Sequence, residues 1–174
     1  MEPARRRGPS HPAALEDAAL LAACEERRSR SSGPGGQHRN KVETKVVLVH
    51  RATGVTGQAG ERRSQPENRA MALRRLRFGL AVAVRGAEAS LLPSALWRSR
   101  IRDGRISCSP HHADFPALLA EALDRLAAAG WEPRPAAEGL GCTPTQLVRF
   151  VGDHPPARIL LDGERRARGL RTLR

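Results

Sequence analysis

The sequence contains few aromatic residues and few cysteines. Aromatic side chains make up 3% of the 174 residues, and tyrosine is absent. This scarcity argues against a nucleic-acid-binding surface that stacks bases on aromatic rings. The cysteines, Cys24, Cys108 and Cys142, are odd in number and widely separated. They do not form a disulfide framework, and we expect a reducing, cytoplasmic environment.

Long apolar runs and an apolar signal core are also missing. No stretch approaches the ~20 apolar residues of a membrane-spanning helix, so we expect no membrane partner. The first ten residues contain three consecutive arginines without a hydrophobic core, and we interpret them as a basic arm. A transit peptide is a weaker alternative, because Glu16 and Asp17 follow closely.

Acidic residues are outnumbered by basic ones. Thirty lysines and arginines stand against 18 aspartates and glutamates, which gives a formal net charge of +12. Because each neutralised phosphate of a polyanion releases counterions, a chain this basic is expected to bind nucleic acid. An anionic membrane surface is disfavoured, since the basic residues do not line an amphipathic helix.

One segment combines glycine with flanking positive charge. Three of the four residues from Gly33 to Gly36 are glycine, Gln37 follows directly, and cations lie on both sides. Glycine lacks a Cβ, so such a loop can bring its backbone N–H groups close to a phosphate-rich partner. Taken alone, the segment is also compatible with an ordinary turn.

The segment Ser32-Gly-Pro-Gly-Gly-Gln-His38 resembles the Gly-Gly-Gln loop of class I peptide chain release factors and of codon-independent ribosome-rescue peptidyl-tRNA hydrolases. A second block follows in the order and spacing of that family: Thr53-Gly54, Arg63-Ser64-Gln65 and Asn68-Arg69-Ala70. The resemblance runs from about Cys24 to about Leu80, so more than half of the chain lies outside it.

The resemblance implies hydrolysis, on the ribosome, of the ester that joins a nascent peptide to the P-site tRNA. Gly35, Gly36 and Gln37 would be the catalytic residues, with the Gln37 backbone N–H stabilising the oxyanion. The RNA-binding residues expected in the resembling region are Arg30, Ser32, His38, Arg39, Asn40, Lys41, Arg63, Gln65 and Arg69. The implied partners are large-subunit rRNA at the peptidyl-transferase centre and P-site peptidyl-tRNA. A glutamine methyltransferase acting on Gln37 is a further candidate partner. We expect a monomer with no cofactor and no metal.

Release factors that read stop codons carry a codon-reading domain before this loop, and only 32 residues precede Gly33 here. We therefore expect codon-independent release from stalled or damaged ribosomes. Two alternatives stay open. The chain could be a ribosome-binding or RNA-binding protein that does not hydrolyse, or a helix-turn-helix DNA-binding regulator.

Hydrophobic periodicity predicts the elements of the N-terminal half. We expect a short helix within Ala13–Arg28, with Arg27, Arg28 and Arg30 extending from it as a basic strand or ribbon. A strand over Val42–His50 and a returning strand over Val55–Ala59 should follow. Ser64 is a predicted N-cap for a helix that runs to about Val84. Its apolar stripe would contain Ala70, Leu73, Leu76 and Leu80, and its outward arginines, expected to contact RNA, would be Arg69, Arg74, Arg75 and Arg77.

The C-terminal half has a different pattern. We expect an irregular segment up to Asp114 with Leu96-Trp97 packing inward, and then a helix capped by Asp114 and stopped by Gly130. The buried stripe of this helix would contain Leu118, Leu119, Ala122, Leu123 and Leu126. Residues 135–150 predict a helix-turn-helix whose second helix is capped by Thr143. Three arginines of this half are expected to contact RNA: Arg149, Arg165 and Arg166. The group Cys108, His111 and His112 has too few ligands for a structural zinc site.

Together these patterns predict an α+β fold. A small mixed or antiparallel sheet with a packed long helix would carry the Gly-Gly-Gln loop, followed by a small all-α helix-turn-helix-like unit. The expected regions are a catalytic domain at residues 1–85, an irregular linker at 86–113 and a basic helical unit at 114–174.

Overall fold

The computed structural model describes residues 11–29, 44–86 and 92–173. In these ranges a 3-10 turn, Pro12–Ala14, precedes seven α-helices and five β-strands. The helices are α1 Asp17–Ala22, α2 Gln65–Ala83, α3 Ala95–Arg100, α4 Phe115–Ala128, α5 Pro133–Leu140, α6 Pro144–Gly152 and α7 Pro155–Ala167. The strands are β1 Cys24–Ser29, β2 Lys45–His50, β3 Thr56–Ala59, β4 Ile101–Arg102 and β5 Arg105–Ile106. The predicted α+β fold class is confirmed.

Strands β1, β2 and β3 form an antiparallel sheet in chain order. Along β2, Val46 and Leu48 are buried while their neighbours are partly exposed, as expected for a strand with one face on the core. The turn between β2 and β3 contains Gly54 at a φ of +71°, a conformation that favours glycine. The predicted hairpin is therefore confirmed.

The helix predicted within Ala13–Arg28 does not reach the end of that range. Helix α1 ends at Ala22, and β1 begins at Cys24 and pairs with β2 along its whole length. The alanine-rich spacing that suggested a helix stops at Ala23, and strand pairing determines the conformation beyond it. Arg27 and Arg28 consequently lie on a strand, as the sequence predicted.

Helix α2 packs across the sheet and is capped as predicted, with the Ser64 Oγ accepting a hydrogen bond from the Glu67 N–H at 3.5 Å. Leu73, Leu76 and Leu80 are buried, but Ala70 is exposed and was wrongly included in the apolar stripe. The buried row instead follows i, i+4 steps that begin at Asn68, and Ala70 is two residues out of phase with it.

Helix α4 packs against α2 and brings its buried leucines into one continuous core with the sheet. Its predicted buried residues, Leu118, Leu119, Ala122, Leu123 and Leu126, are all confirmed. Asp114 precedes the helix but makes no side-chain capping bond, because its carboxylate pairs with Arg100. Gly130 ends the segment at a φ of +64°, as expected.

The segment expected to be irregular contains helix α3 and the β4–β5 hairpin. Trp97 of α3 is fully buried; its indole N–H donates to the Leu140 carbonyl at 2.9 Å, and its ring meets Phe150 edge-to-face at 5.8 Å. These contacts attach the segment to the helix-turn-helix formed by α5 and α6.

Helix α7 was not predicted. The three-region division of the chain stays a prediction, and the described core extends across both of its boundaries.

None of the helices in the described ranges is long and apolar enough to cross a membrane.

Substituting Gly57 tests the close packing of α2 on β3. A Cβ at Gly57 would lie 2.3 Å from the Ala72 carbonyl oxygen and 2.4 Å from the Leu76 nitrogen. We predict that Gly57→Ala lowers the free energy of unfolding by about 1–3 kcal/mol or more, because neither backbone can move aside locally. Urea denaturation measures the change.

Gly163→Ala is the matched control. Gly163 lies in α7, and a Cβ added there would meet no atom within 4 Å, so alanine should be neutral or stabilising by up to ~1 kcal/mol. Equal stability of the two variants would contradict the described packing.

Candidate active site

The pairing of β1 with β2 fixes the base of the glycine-rich segment. Ser29 at the end of β1 pairs with Lys45 at the start of β2, so the chain leaves and re-enters the sheet at adjacent positions. The predicted catalytic residues Gly35, Gly36 and Gln37 lie in the intervening segment, outside the described residues. The predicted RNA-binding residues Arg30, Ser32, His38, Arg39, Asn40 and Lys41 also lie there.

Asn68 holds the returning end of this segment. Its side chain is fully buried, and its amide N–H₂ donates to the Thr44 carbonyl at 2.7 Å and to the Arg62 carbonyl at 2.9 Å. Its side-chain oxygen accepts from the Arg62 N–H at 3.0 Å. The amide thus ties the start of β2, the β3–α2 connection and helix α2 to one another. Sequence analysis gave Asn68 no such role, although a polar residue in the buried i, i+4 row of α2 was the available signal.

The leaving end of the segment is tied to α2 through Glu26 on β1. The Glu26 carboxylate accepts from the Arg69 Nε at 2.8 Å and from Arg28 at 3.1 Å. These bonds, first of all the one from Arg69, hold the pKa of Glu26 below its ordinary value of 4.5. Arg69, which we predicted to contact RNA, therefore has an intramolecular partner, while its side chain stays 44% exposed.

The base of the segment has an exposed basic surface. Arg63 is exposed and Gln65 is partly exposed at the start of α2, beside the connection that Asn68 holds. Arg62 is also exposed there, and Lys45 packs against Gly60. Neither Arg62 nor Arg63 forms an ion pair within the part of the chain that the structure describes, so both leave their charge available to a polyanion.

The other arginines of α2 do not point freely outward as expected. Arg74 donates to the carbonyls of Pro110 and His111, and Arg75 donates to the Gln58 carbonyl and pairs with Glu61. Arg77 donates to the Ala13 carbonyl and pairs with Asp17, and its side chain is only 14% exposed. Arg74 and Arg77 are partly buried and bind the protein itself, so the expectation that they face RNA is corrected. Arg75 also has intramolecular partners, but its side chain stays 46% exposed.

The three predicted RNA contacts of the C-terminal half differ in position. Arg149 on α6 and Arg166 on α7 are exposed. Arg165 is 5% exposed, and its guanidinium donates to the carbonyls of Trp131 and Arg171. Because the Arg165 guanidinium is buried and donates to carbonyls of the chain itself, it is not available to RNA. Arg165 instead connects the C-terminal residues to the α4–α5 connection.

Cys108, His111 and His112 do not form a cluster of metal ligands in the described structure. The His112 Nδ1 accepts from the Asp114 N–H at 3.1 Å, and burial raises the pKa of the Cys108 thiol. Among the described residues, no group of three or more histidine, cysteine, aspartate or glutamate side chains is placed to hold a metal ion.

Residues 21–101 match the model of the RF-1 domain family. The chain is 36% identical over 129 residues to peptide chain release factor 1 of Frankia casuarinae, which covers 63% of the chain and 36% of the relative. It is 52% identical over 51 residues to peptide chain release factor 2 of Sulfurimonas denitrificans, covering 29% of the chain and 14% of the relative.

A third relative is the mitochondrial translation release factor in rescue of Danio rerio, 46% identical over 68 residues, with 39% of the chain and 44% of the relative covered. The chain therefore spans less than half the length of each of these relatives. No solved structure gives a significant match.

Replacing Asn68 tests its role at the base of the segment. Asn68→Ala would leave the partly buried Thr44 and Arg62 carbonyls and the Arg62 N–H without their side-chain partners. We predict a loss on the order of 3 kcal/mol in the free energy of unfolding, with faster amide hydrogen exchange in β2. The exposed amide Gln58→Ala serves as control, and exchange that is unchanged in Asn68→Ala would refute the role.

The Glu26–Arg69 pair predicts an acid-sensitive contribution to stability. Because the pKa of Glu26 is lowered by folding, its contribution is fully present above about pH 4.5 and is lost as the pH falls through the lower folded value. Glu26→Gln should therefore flatten the decline of the free energy of unfolding below pH 4.5. Glu138→Gln, an exposed control on α5, should not. Identical pH slopes for wild type and Glu26→Gln would disprove the linkage.

Proposed function

We infer that the chain is a member of the class I release factor-like family, because residues 21–101 match the RF-1 domain and the similar proteins include release factors. From this premise we propose that it is a ribosome-dependent peptidyl-tRNA hydrolase that releases nascent peptides from stalled ribosomes without reading a stop codon. One observation carries the proposal. The sequence Gly35-Gly36-Gln37 lies inside the matched residues, between two strands whose facing ends are hydrogen-bonded neighbours.

The chemistry assigned to this segment is stabilisation of developing charge. When water attacks the ester carbonyl, negative charge forms on the tetrahedral oxygen and on the leaving 3′-oxygen of the tRNA. A backbone N–H at Gln37 directed at that charge would stabilise the transition state, as oxyanion-hole donors do. Gly35 and Gly36 would allow the backbone to approach, because a Cβ at either position would occupy the space of the RNA.

The described scaffold supports this proposal through rigidity at the base of the segment. Asn68 holds the Thr44 end and the Glu26–Arg69 pair holds the β1 end, so a catalytic tip would be presented from two fixed points. A positioned group loses less entropy on reaching the transition state than a free one. Arg62, Arg63 and Lys45 would meet the phosphates of large-subunit rRNA near the peptidyl-transferase centre.

Release without a codon is favoured by the similarity to a mitochondrial release factor in rescue. We propose the ribosome and its P-site peptidyl-tRNA as partners, a cytoplasmic location, action as a monomer and Gln37 as the residue that a glutamine methyltransferase would modify. The competing candidate is a ribosome-binding protein without hydrolytic activity, and the presence of the full Gly35-Gly36-Gln37 sequence argues against it.

Peptide release from ribosomes stalled on a message without a stop codon tests the hydrolysis. We predict that Gly36→Ala lowers the single-turnover release rate by roughly 10²–10³-fold, because its Cβ would displace the Gln37 backbone N–H from the developing charge, a loss comparable to removing a preorganised oxyanion donor. Gln37→Ala keeps this N–H but removes the side-chain amide that would orient the attacking water, and it should also lower the rate. Ribosome binding, measured by co-sedimentation, should change much less than the rate.

Gly163→Ala on α7 is the control and should release peptide at the wild-type rate. Equal peptide release by wild type, Gly36→Ala and Gln37→Ala would contradict the catalytic role of this sequence. If none of them released peptide while all bound ribosomes, the non-hydrolytic candidate would replace the proposed enzyme.

A further inference from the structure

A groove of about 700 Å³ lies between the β4–β5 hairpin and helix α6. Arg102 and Arg105 line it from the hairpin, and Gln146 and Arg149 line it from α6. It lies outside the base of the glycine-rich segment, and sequence analysis assigned neither Arg102 nor Arg105 a role. A site that draws arginines from two separate elements differs from a solvated helix face, on which the charges come from one element.

The three arginines that line the groove are available to bind an external anion. Arg102, Arg105 and Arg149 form no ion pair with any residue of the described ranges, in contrast to Arg69, Arg100 and Arg158, which each pair with a carboxylate. Arg102 donates a long hydrogen bond of 3.5 Å to the neighbouring Ile101 carbonyl. An arginine with no carboxylate partner can donate a forked pair of hydrogen bonds to a phosphate.

Two carboxylates also line the groove. Asp103 is at the hairpin tip, whose Gly104 carbonyl accepts from the Thr143 N–H at the start of α6, and Asp153 follows the other end of that helix. Arg149 therefore lies between them along α6, and three positive charges against two negative ones leave the groove with a formal charge of +1. An alternating arrangement of this kind favours a spaced row of phosphates over a compact anion.

The two walls are held rigidly relative to each other. The Thr143–Gly104 hydrogen bond of 3.3 Å joins the hairpin tip to α6, and Trp97 joins α3 to the end of α5 at Leu140 and contacts Phe150 of α6. Because the groove is preformed, binding in it requires little ordering of the backbone.

We propose that this groove binds the phosphate backbone of double-stranded RNA. The described residues offer no exposed aromatic side chain on which single-stranded bases could stack: Trp97, Phe115, Trp131 and Phe150 are buried, and Phe78 is partly buried against His154. Contacts to phosphates through guanidinium groups need no base stacking and suit a duplex, whose backbones keep a fixed spacing.

The same geometry opposes the interpretation of α6 as a DNA-recognition helix. Such a helix inserts its N-terminal residues into the major groove to reach base edges. Here the hairpin tip is hydrogen-bonded to Thr143 immediately before α6, where the DNA would have to enter. The choice of RNA over DNA as the duplex rests on the proposed ribosomal function, whereas the assignment of the groove to a phosphate backbone does not.

The test measures binding of the full-length protein to an RNA duplex of about 20 base pairs by fluorescence anisotropy at several salt concentrations. Each arginine that neutralises a phosphate contributes ~0.9 to the slope of log K against log salt. The double variant Arg105→Ala/Arg149→Ala should lose about 2 in slope and roughly tenfold or more in affinity at low salt. Arg105→Lys/Arg149→Lys should keep most of the slope, because it keeps the charge.

The matched control is Arg134→Ala/Arg171→Ala, which removes the same charge from exposed positions that do not line the groove. It should bind almost as wild type does, and both double variants should show the wild-type melting temperature. Equal losses in the groove variant and in the control would overturn the proposal, since they would reflect net charge alone.

Binding a DNA duplex of the same sequence at least as tightly as RNA, with the same dependence on Arg105 and Arg149, would overturn the choice of RNA. Because a free duplex involves neither ribosome nor hydrolysis, this experiment can fail while Gln37-dependent release succeeds, and the reverse also holds.

Discussion

The buried amide of Asn68 is the interaction on which the arrangement of the active-site base depends. Its three hydrogen bonds join the start of β2, the β3–α2 connection and helix α2, and the Asn68 side chain itself is fully buried. Gly57 complements it by letting α2 lie directly on β3. If the glycine-rich segment acts as proposed, a base held in this way would favour its positioning, since less ordering would then be needed.

The arginines in the described ranges include two groups with different roles. One group, which includes Arg74, Arg77 and Arg165, binds backbone carbonyls and carboxylates of the chain itself and thereby connects elements. The other group has no internal partner within the described ranges and leaves positive charge at the surface, as Arg63 and Arg149 do. Among the described residues, the arginines without a carboxylate partner are therefore the expected contacts with RNA.

Much of the fold could be predicted from the sequence, because turn residues, helix caps and hydrophobic periodicity indicate the same elements that the buried core requires. The hairpin at Gly54, the cap at Ser64 and the leucines of α4 follow from turn chemistry and periodicity. The end of α1, the position of Ala70 and the structure around Trp97 could not be predicted, since each is decided by strand pairing or packing with distant residues. At the site, motif resemblance indicated the glycine-rich segment, while the partners of Asn68, Glu26 and Arg165 become visible only in three dimensions.

The central claim is that a rigidly based Gly35-Gly36-Gln37 tip meets the ester of peptidyl-tRNA. A cryo-electron microscopy structure of the protein bound to a ribosome stalled with P-site tRNA tests it most directly. The account predicts the Gln37 backbone N–H within roughly 3–4 Å of the terminal adenosine 3′-oxygen or its ester, a hydrogen-bonding or near-contact distance. Density that placed Gln37 outside the peptidyl-transferase centre, with the protein otherwise well bound, would contradict it.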